Sequence, residues 1–310
     1  MKTLTKLSAF LVGLLMLLAA FSPALAISSL ITAPGMSTAN INGSTAESYN
    51  WGGYAVEASS VTSASGSWIV PAITPISGAS PTTTYYSAFW VGIDGFTSST
   101  VEQTGILSET TAGVTTHFAW YEFYPAGMYE IVTATSTSTG QSTPATVTPG
   151  DTMTATVTYV GSTGSIFGSP SSPLSSARSV FGSPSGAFSS PGRDPPRRQP
   201  SGSEFTATIT DTTAGWTYTY TGTVSNAARS SAEWIVETPS VDGRLATLAD
   251  FGTVPFSSCS AATTSGSISL SGSAFYAITI VADNKALTPM ATPSAFSSGG
   301  FSVTWDSAGP

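Results

Sequence analysis

From Tyr49 onward the chain is written in short runs of Val, Ile, Thr, Tyr, Phe and Trp. Clusters of Gly, Ser, Pro and Asp separate them. Runs of this kind read as half-buried strands, whose side chains point alternately to two faces. The segments that qualify are 53–58, 64–70, 86–93, 100–107, 115–124, 129–134, 152–160, 205–210, 216–223, 232–236, 249–256, 267–270, 275–281 and 301–305. No amphipathic helix of globular length accompanies them. Many short strands with frequent turn signals predict an all-β fold, an antiparallel sandwich or barrel.

The polar surface of such a fold must here be built almost without charge. Only 8% of the 310 residues are Asp, Glu, Lys or Arg, against roughly 25% in an ordinary soluble protein. Ser, Thr, Gly and Ala fill the difference, so few ion pairs exist for acid to break. This composition is compatible with an acidic milieu. The formal net charge of −8 leaves no basic stripe to replace phosphate counterions, so no nucleic-acid partner is expected. A single cysteine, Cys259, allows no intrachain disulfide, and a single histidine, His117, with no Cys/His cluster gives no metal site. No metal or other cofactor is expected.

The first 26 residues read as a secretory signal. Lys2 and Lys6 open it, 9–21 is apolar, and Ala24-Leu25-Ala26 is a small-x-small cleavage site. The expected product is secreted and extracellular, with no membrane association after signal removal. Residues 27–48 are expected to be a short propeptide or flexible lead. A single β-sandwich domain is expected over 49–310. Within it, 161–203 is a Ser/Pro/Gly-rich insertion carrying Arg178, Arg193, Arg197 and Arg198. It interrupts a hairpin between the 152–160 and 205–210 runs and is expected to be disordered. Nothing requires a second chain, so a monomer is expected.

Period-two reading sorts the polar residues by face. In 88–94, Phe89, Val91 and Ile93 share an apolar face, opposite Trp90, Gly92 and Asp94. In 118–124, Trp120, Glu122 and Tyr124 share a face with Phe118; in 101–107, Gln103 lies with Val101, Gly105 and Leu107; in 232–237, Glu233 lies with Ile235 and Glu237. Aromatic and acidic residues thus gather on the sides away from the apolar faces, and one sheet is expected to carry a working face. A pair of carboxylates beside Trp and Tyr in a cleft suits a glycosidase. The same aromatic face without chemistry suits a secreted carbohydrate-binding module. A Ser-His-Asp triad would have to use His117, and no Gly-x-Ser-x-Gly elbow surrounds any serine.

Six motifs in order narrow the choice: Asn50-Trp51-Gly52-Gly53-Tyr54, Gly66 to Pro71, Trp90-Val91-Gly92-Ile93-Asp94-Gly95, Gln103-Thr104-Gly105, Ala119 to Pro125, and Ala232-Glu233-Trp234-Ile235-Val236-Glu237. With these the chain resembles the glutamic peptidases, the G1 or eqolisin family typified by scytalido-glutamic peptidase. The resemblance implies a lectin-like or concanavalin-like β-sandwich of two bent antiparallel sheets. It implies an acid endopeptidase acting on protein or peptide substrates through a Gln103/Glu233 dyad. It places Trp90, Asp94, Trp120, Glu122 and Tyr124 in or near the substrate cleft. The chain departs from the fungal pattern in lacking disulfides, in Phe118 where an acidic residue is usual, and in the 161–203 insertion.

Overall fold

The alternating runs are strands in the computed structural model, which describes residues 31–78, 80–135, 142–163 and 202–309. The signal segment 1–26, the start of the 27–48 lead and most of the 161–203 insertion lie outside the described residues. The first eight strands are β1 (Ile31–Thr32), β2 (Thr38–Asn42), β3 (Thr45–Ser48), β4 (Trp51–Glu57), β5 (Val61–Ile69), β6 (Thr84–Ile93), β7 (Val101–Thr111) and β8 (Val114–Tyr124). Later strands are named by their residues. Pairing is antiparallel throughout the main sheets, with two short parallel contacts, Ala277–Ile280 beside β3 and Thr247–Leu248 beside β6.

Two sheets form a sandwich. One runs Trp216–Val224, Gly202–Asp211, Thr152–Thr163, β5, Thr253–Thr263. The other runs Phe275–Val281, β4, Ser231–Glu237, β6, β7, β8. Strands Phe301–Trp305 and Pro289–Pro293 carry hydrogen bonding from the first to the second. The hairpin predicted across the insertion is present, with Met153 opposite Asp211 and Tyr159 opposite Phe205.

Between the sheets lies an apolar cluster that includes Phe89, Val91, Ile93, Ile106, Tyr121, Phe205 and Trp234. Tyr121 stacks on Tyr220 at 4.1 Å, and Phe123 meets Phe205 edge-on. Gly66 leaves room for an inter-sheet indole: a Cβ there would fall 2.7 Å from Trp234 Cδ1. The Trp234 Nε1 then donates to the Ser65 carbonyl at 2.7 Å. The Phe89/Val91/Ile93 face is therefore core, as its period indicated.

The opposite face of the second sheet differs from expectation. It was read as a working face turned away from the core, yet Trp90, Trp120, Gln103, Glu122, Glu233 and Glu237 are all fully buried. They belong to or border a second apolar cluster with Ile31, Ala33, Trp51, Phe96 and Met128. The cover comes from the N-terminal lead. From Ile31 on, that segment is no flexible lead. It forms β1 to β3, with Ile31 and Thr32 pairing Val241 and Ser240, and β2 and β3 making a hairpin. Period two finds which residues share a face; it cannot tell a solvent face from one that a distant segment covers. Among the described residues no helix is long and apolar enough to cross a membrane.

Candidate active site

Register places the key residues in one row. Gly92 of β6 lies opposite Glu233 on one side and Gln103 on the other; Gln103 in turn lies opposite Glu122 of β8. Residues directly opposite in a sheet point to the same face, and neighbouring strands lie about 4.8 Å apart. Glu233 and Gln103 therefore rise about 10 Å apart at their backbones, on either side of a residue without a side chain. A Cβ at Gly92 would lie 2.8 Å from Trp90 Cζ3 and 3.1 Å from Gln103 Cβ. Glycine at 92 makes room for the Trp90 ring and the Gln103 side chain, which crowd the place a Cβ would take.

The next row along repeats the device. Ile235, Trp90, Gly105 and Trp120 lie side by side. A Cβ at Gly105 would fall 2.6 Å from Trp90 Cβ, so the indoles of β6 and β8 need glycine between their strands. Trp90 packs edge-on against Trp51 at 4.9 Å, and its Nε1 donates to Glu237 Oε2 at 2.8 Å. Asn50 Nδ2 donates to the other Glu237 oxygen at 3.3 Å.

Satisfaction of hydrogen bonds separates the carboxyls. Glu237 has partners on both oxygens. Glu122 Oε2 accepts from Gln103 Nε2 at 3.1 Å and from the Ala33 amide at 2.8 Å. Both Glu233 oxygens, Glu122 Oε1 and Gln103 Oε1 have no hydrogen-bond partner although they are buried. Unpaired buried acceptors are costly and mark places where function outweighs stability. Burial pushes the Glu233 carboxyl well above the usual glutamate range, with the nearby Ser231 hydroxyl opposing and Asp94 and Glu102 adding to the rise. Burial likewise raises Glu122, against the bonds from Ala33 and Gln103. It raises Glu237 too, with Glu122 adding and Trp90 and Asn50 opposing.

The remaining predicted residues fall at the margin. Asp94 follows directly after β6 in a left-handed conformation (φ 70°). Its carboxylate accepts from the backbone N–H groups of Arg229 and Ser230, both at 2.7 Å, and from the Ser230 hydroxyl at 3.0 Å. It thus fixes the turn that leads into the Glu233 strand. Tyr124 ends β8, half-buried and packed at the edge of the second cluster. Sequence reading missed Glu102, which points to the inter-sheet side, fully buried with both oxygens unpaired. Burial and the Asp94 charge raise its pKa well above the usual range, against the Thr100 hydroxyl. Its signal was a carboxylate in an otherwise apolar alternation beside Gln103. Sequence reading also missed the Ile31–Met36 cover, whose short, small residues carry no strand signature.

Other nucleophile arrangements find no support here. Ser108 Oγ and His117 Nδ1 are 2.8 Å apart, but Ser108 is fully buried on the inter-sheet face, opposite Gln103 and Glu233. Cys259 is buried, and burial pushes its thiol up to about 12.

The sequence matches the Peptidase A4 family over residues 49–168 and 198–305. Aspergillopepsin-2 of Aspergillus niger is 27% identical over 268 residues, spanning 80% of this chain and 76% of that protein. Among solved structures, scytalido-glutamic peptidase with a transition state analog inhibitor superposes with a TM-score of 0.57 at 20% identity, covering 83% of this chain and 98% of that one. SCP-B, an eqolisin-family peptidase solved with the tripeptide Ala-Ile-His, gives a TM-score of 0.52 at 19% identity over the same shares. The two structures share the β-sandwich fold described above.

Proposed function

This chain belongs to the Peptidase A4 family, the G1 glutamic peptidases, and is a peptide hydrolase; on that premise we propose that it works through a Glu233/Gln103 dyad. The observation that carries this reading is the Glu233–Gly92–Gln103 row, in which two buried polar side chains rise from one face of the sheet on either side of a glycine. Glu233 is the general base in its carboxylate form; burial in the covered site raises its pKa, so acid activity requires that opening the site to water and substrate lower it again. The carboxylate takes a proton from water as the water oxygen attacks the scissile carbonyl carbon, and passes that proton to the departing amine nitrogen. Gln103 donates its amide to the oxygen on which negative charge develops. The donor geometry already exists, since Gln103 Nε2 holds a peptide carbonyl, that of Ala33, at 2.6 Å.

Trp90, Trp120, Glu122 and Tyr124 line or border the cleft, and Asp94 positions Glu233 through the turn at Arg229 and Ser230. We read the enzyme as secreted, from the signal segment, and as acting in acid as a monomer without a cofactor. The glycosidase and binding-module readings lose ground to family membership and to the pairing of Glu237 with Trp90 and Asn50, which holds that carboxyl as a structural partner.

The test is hydrolysis of a denatured protein from about pH 2 to about pH 7, comparing wild type with Glu233→Gln. Acid-peaked cleavage by wild type is expected to fall by at least about 10²–10⁴-fold in the variant, with the folded spectrum retained. Full activity in a folded Glu233→Gln protein would remove Glu233 from the chemistry. Gln103→Ala is expected to lose about 10²–10³-fold.

A further inference from the structure

Two buried aspartates that the proposed chemistry does not use meet where two turns close the end of the first sheet. Asp211 is the last residue of its strand, opposite Met153 on one side and Trp216 on the other. Asp151 immediately precedes the strand Thr152–Thr163. Each carboxyl holds its own turn. Asp151 Oδ2 accepts from the Thr148 amide at 2.7 Å and from the Thr148 hydroxyl at 2.8 Å. Asp211 Oδ1 accepts from the amides of Thr213 at 2.9 Å and Ala214 at 2.7 Å. The backbones of the two turns are joined as well. The Thr212 amide donates to the Thr152 carbonyl at 2.9 Å, and the Thr152 amide to Thr213 Oγ1 at 3.0 Å.

The second oxygen of Asp211 is different. Oδ2 is buried and finds no N–H or O–H donor among the described residues, while the Asp151 side chain lies within hydrogen-bonding reach of the same carboxyl. Two carboxylates offer each other only lone pairs, and as anions they repel. One proton between them turns the contact into an O–H···O⁻ bond, a strong hydrogen bond. Asp211 is the member that keeps the proton. Burial pushes its carboxyl above the usual aspartate range, against the bonds from Ala214 and Thr213, and the Asp151 charge adds to the rise. Its register neighbours, Met153 and Trp216, carry no charge. From the second sheet, His117 of β8 lies in the field of Asp151, with Nδ1 2.8 Å from Ser108 Oγ; burial lowers its pKa and Asp151 opposes that. With His117 charged and Asp211 protonated, the three groups carry no net charge. With His117 neutral and Asp211 ionised, both aspartates are uncompensated anions.

We propose that Asp151 and Asp211 share one proton and so form an acid-closed clamp between the 148–151 and 211–216 turns, which opens as that proton is lost toward neutrality. The opening step is a proton transfer alone: Asp211 gives its proton to water, and two facing carboxylates remain. The clamp's contribution to stability is complete below the ordinary aspartate value of about 3.9 and is lost as pH rises through the higher folded one. The clamped turn connects bond by bond with the candidate site. Trp216 Nε1 donates to the Thr146 carbonyl at 2.9 Å. The Ala145 amide donates to the Ile131 carbonyl at 3.0 Å, and the Ile131 amide to the Ala119 carbonyl at 2.8 Å. Ala119 lies in β8, the strand that carries Trp120 and Glu122. In acid, that strand is braced from behind.

The test follows the Asp211 carboxyl itself, by NMR of the full-length protein with labelled aspartate carboxyl carbons. The Asp211 signal is the one absent from Asp211→Asn. Its titration midpoint in wild type is expected above about 3.9. In Asp151→Asn the amide oxygen still accepts from Thr148, while the amide nitrogen donates to Asp211 Oδ2. Asp211 then ionises more readily, and its midpoint is expected to fall. Burial alone would leave the midpoint where it was, since asparagine fills the same space. The second readout is hydrogen exchange at the Thr213 and Ala214 amides, corrected for the intrinsic effect of pH. Their protection in wild type is expected to be at least about 10-fold lower at about pH 7 than at about pH 4. In Asp211→Asn, whose amide donates to Asp151 at any pH, it is expected to be equal at the two.

A wild-type midpoint at or below about 3.9 would overturn the clamp. So would a midpoint that Asp151→Asn leaves unchanged, because the proton would then belong to Asp211 alone. Equal amide protection at the two pH values in wild type would overturn the opening. Should Asp211→Asn not fold, the Asp211 signal is assigned by correlation to its own backbone, and the comparison with Asp151→Asn decides. None of these measurements reads hydrolysis, so the clamp stands or falls independently of the dyad.

Discussion

The outer faces of the two sheets solve the same problem with different chemistry. On the sheet of Thr152–Thr163, Gly202–Asp211 and Trp216–Val224, the polar groups are hydroxyls in cross-strand pairs. Thr206 meets Thr221, Thr208 meets Thr219 and Thr210 meets Thr217, at 2.9, 3.1 and 3.0 Å. Each is exposed or half-exposed, and none titrates in the working range. On the sheet of β6, β7, β8 and Ser231–Glu237 the polar groups are carboxyls and a carboxamide, fully buried and partly unpaired. Glu122, Glu233 and Glu237 are thus held on this face where water is scarce. Catalytic potential resides on the buried face, and the threonine pairs of the other do not titrate.

The comparison can be broken most severely at the dyad. Beyond the Glu233 and Gln103 variants, Gly92→Ala puts a methyl group between the two side chains. We expect at least about a 10-fold loss of kcat, since misplacing reacting groups by about an ångström costs up to about 10²-fold. Steady-state kinetics on a peptide substrate, alongside a thermal melt, distinguishes this from unfolding.

A smaller effect concerns pH. Glu102, Glu122, Glu233 and Glu237 all have folded-state pKa values raised well above the ordinary glutamate value. Each binds its proton more tightly folded than unfolded. Their contribution to stability is therefore complete below the unfolded pKa, about 4.3, and is lost as pH rises through the higher folded values. Tm is expected to be highest in acid and to fall toward neutrality. Glu102→Gln, which keeps shape and removes the titration, is expected to raise Tm at about pH 7, leave it nearly unchanged at about pH 3, and so narrow the gap between them. A gap unchanged in Glu102→Gln would take Glu102 out of this account.

The smallest effect lies on the hydroxyl face. Thr208→Ala removes one exposed cross-strand pair and is expected to change stability by under about 1 kcal/mol, equally at both pH values and with kcat unaltered. A pH-dependent change there would mean that the two faces are not independent.

Much of this was legible in the sequence, and the failures have a common cause. The runs 275–281 and 301–305 are strands with the predicted bounds, because β-branched and aromatic residues alternate cleanly there. The 249–256 run instead becomes a strand beginning at Thr253, and the 267–270 run shrinks to Gly266–Ser267. In those stretches, small residues leave the outcome to tertiary partners. The motif order led to the row of Glu233, Gly92 and Gln103. What no local pattern could give was the cover: Ala33 meets Gln103 and Glu122 from 70 and 89 residues away. Register between distant strands, and a segment crossing a sheet face, are decided by the whole chain.

Covering a catalytic face with part of one's own chain has a consequence for lifetime. With Ile31 and Ala33 seated beside them, Trp90 and Trp120 count as interior. Losing the burial of one Ile-sized side chain costs about 1.5–3 kcal/mol, which in a domain of this size lowers Tm by several degrees. A form in which this cover is displaced is thus the less durable one.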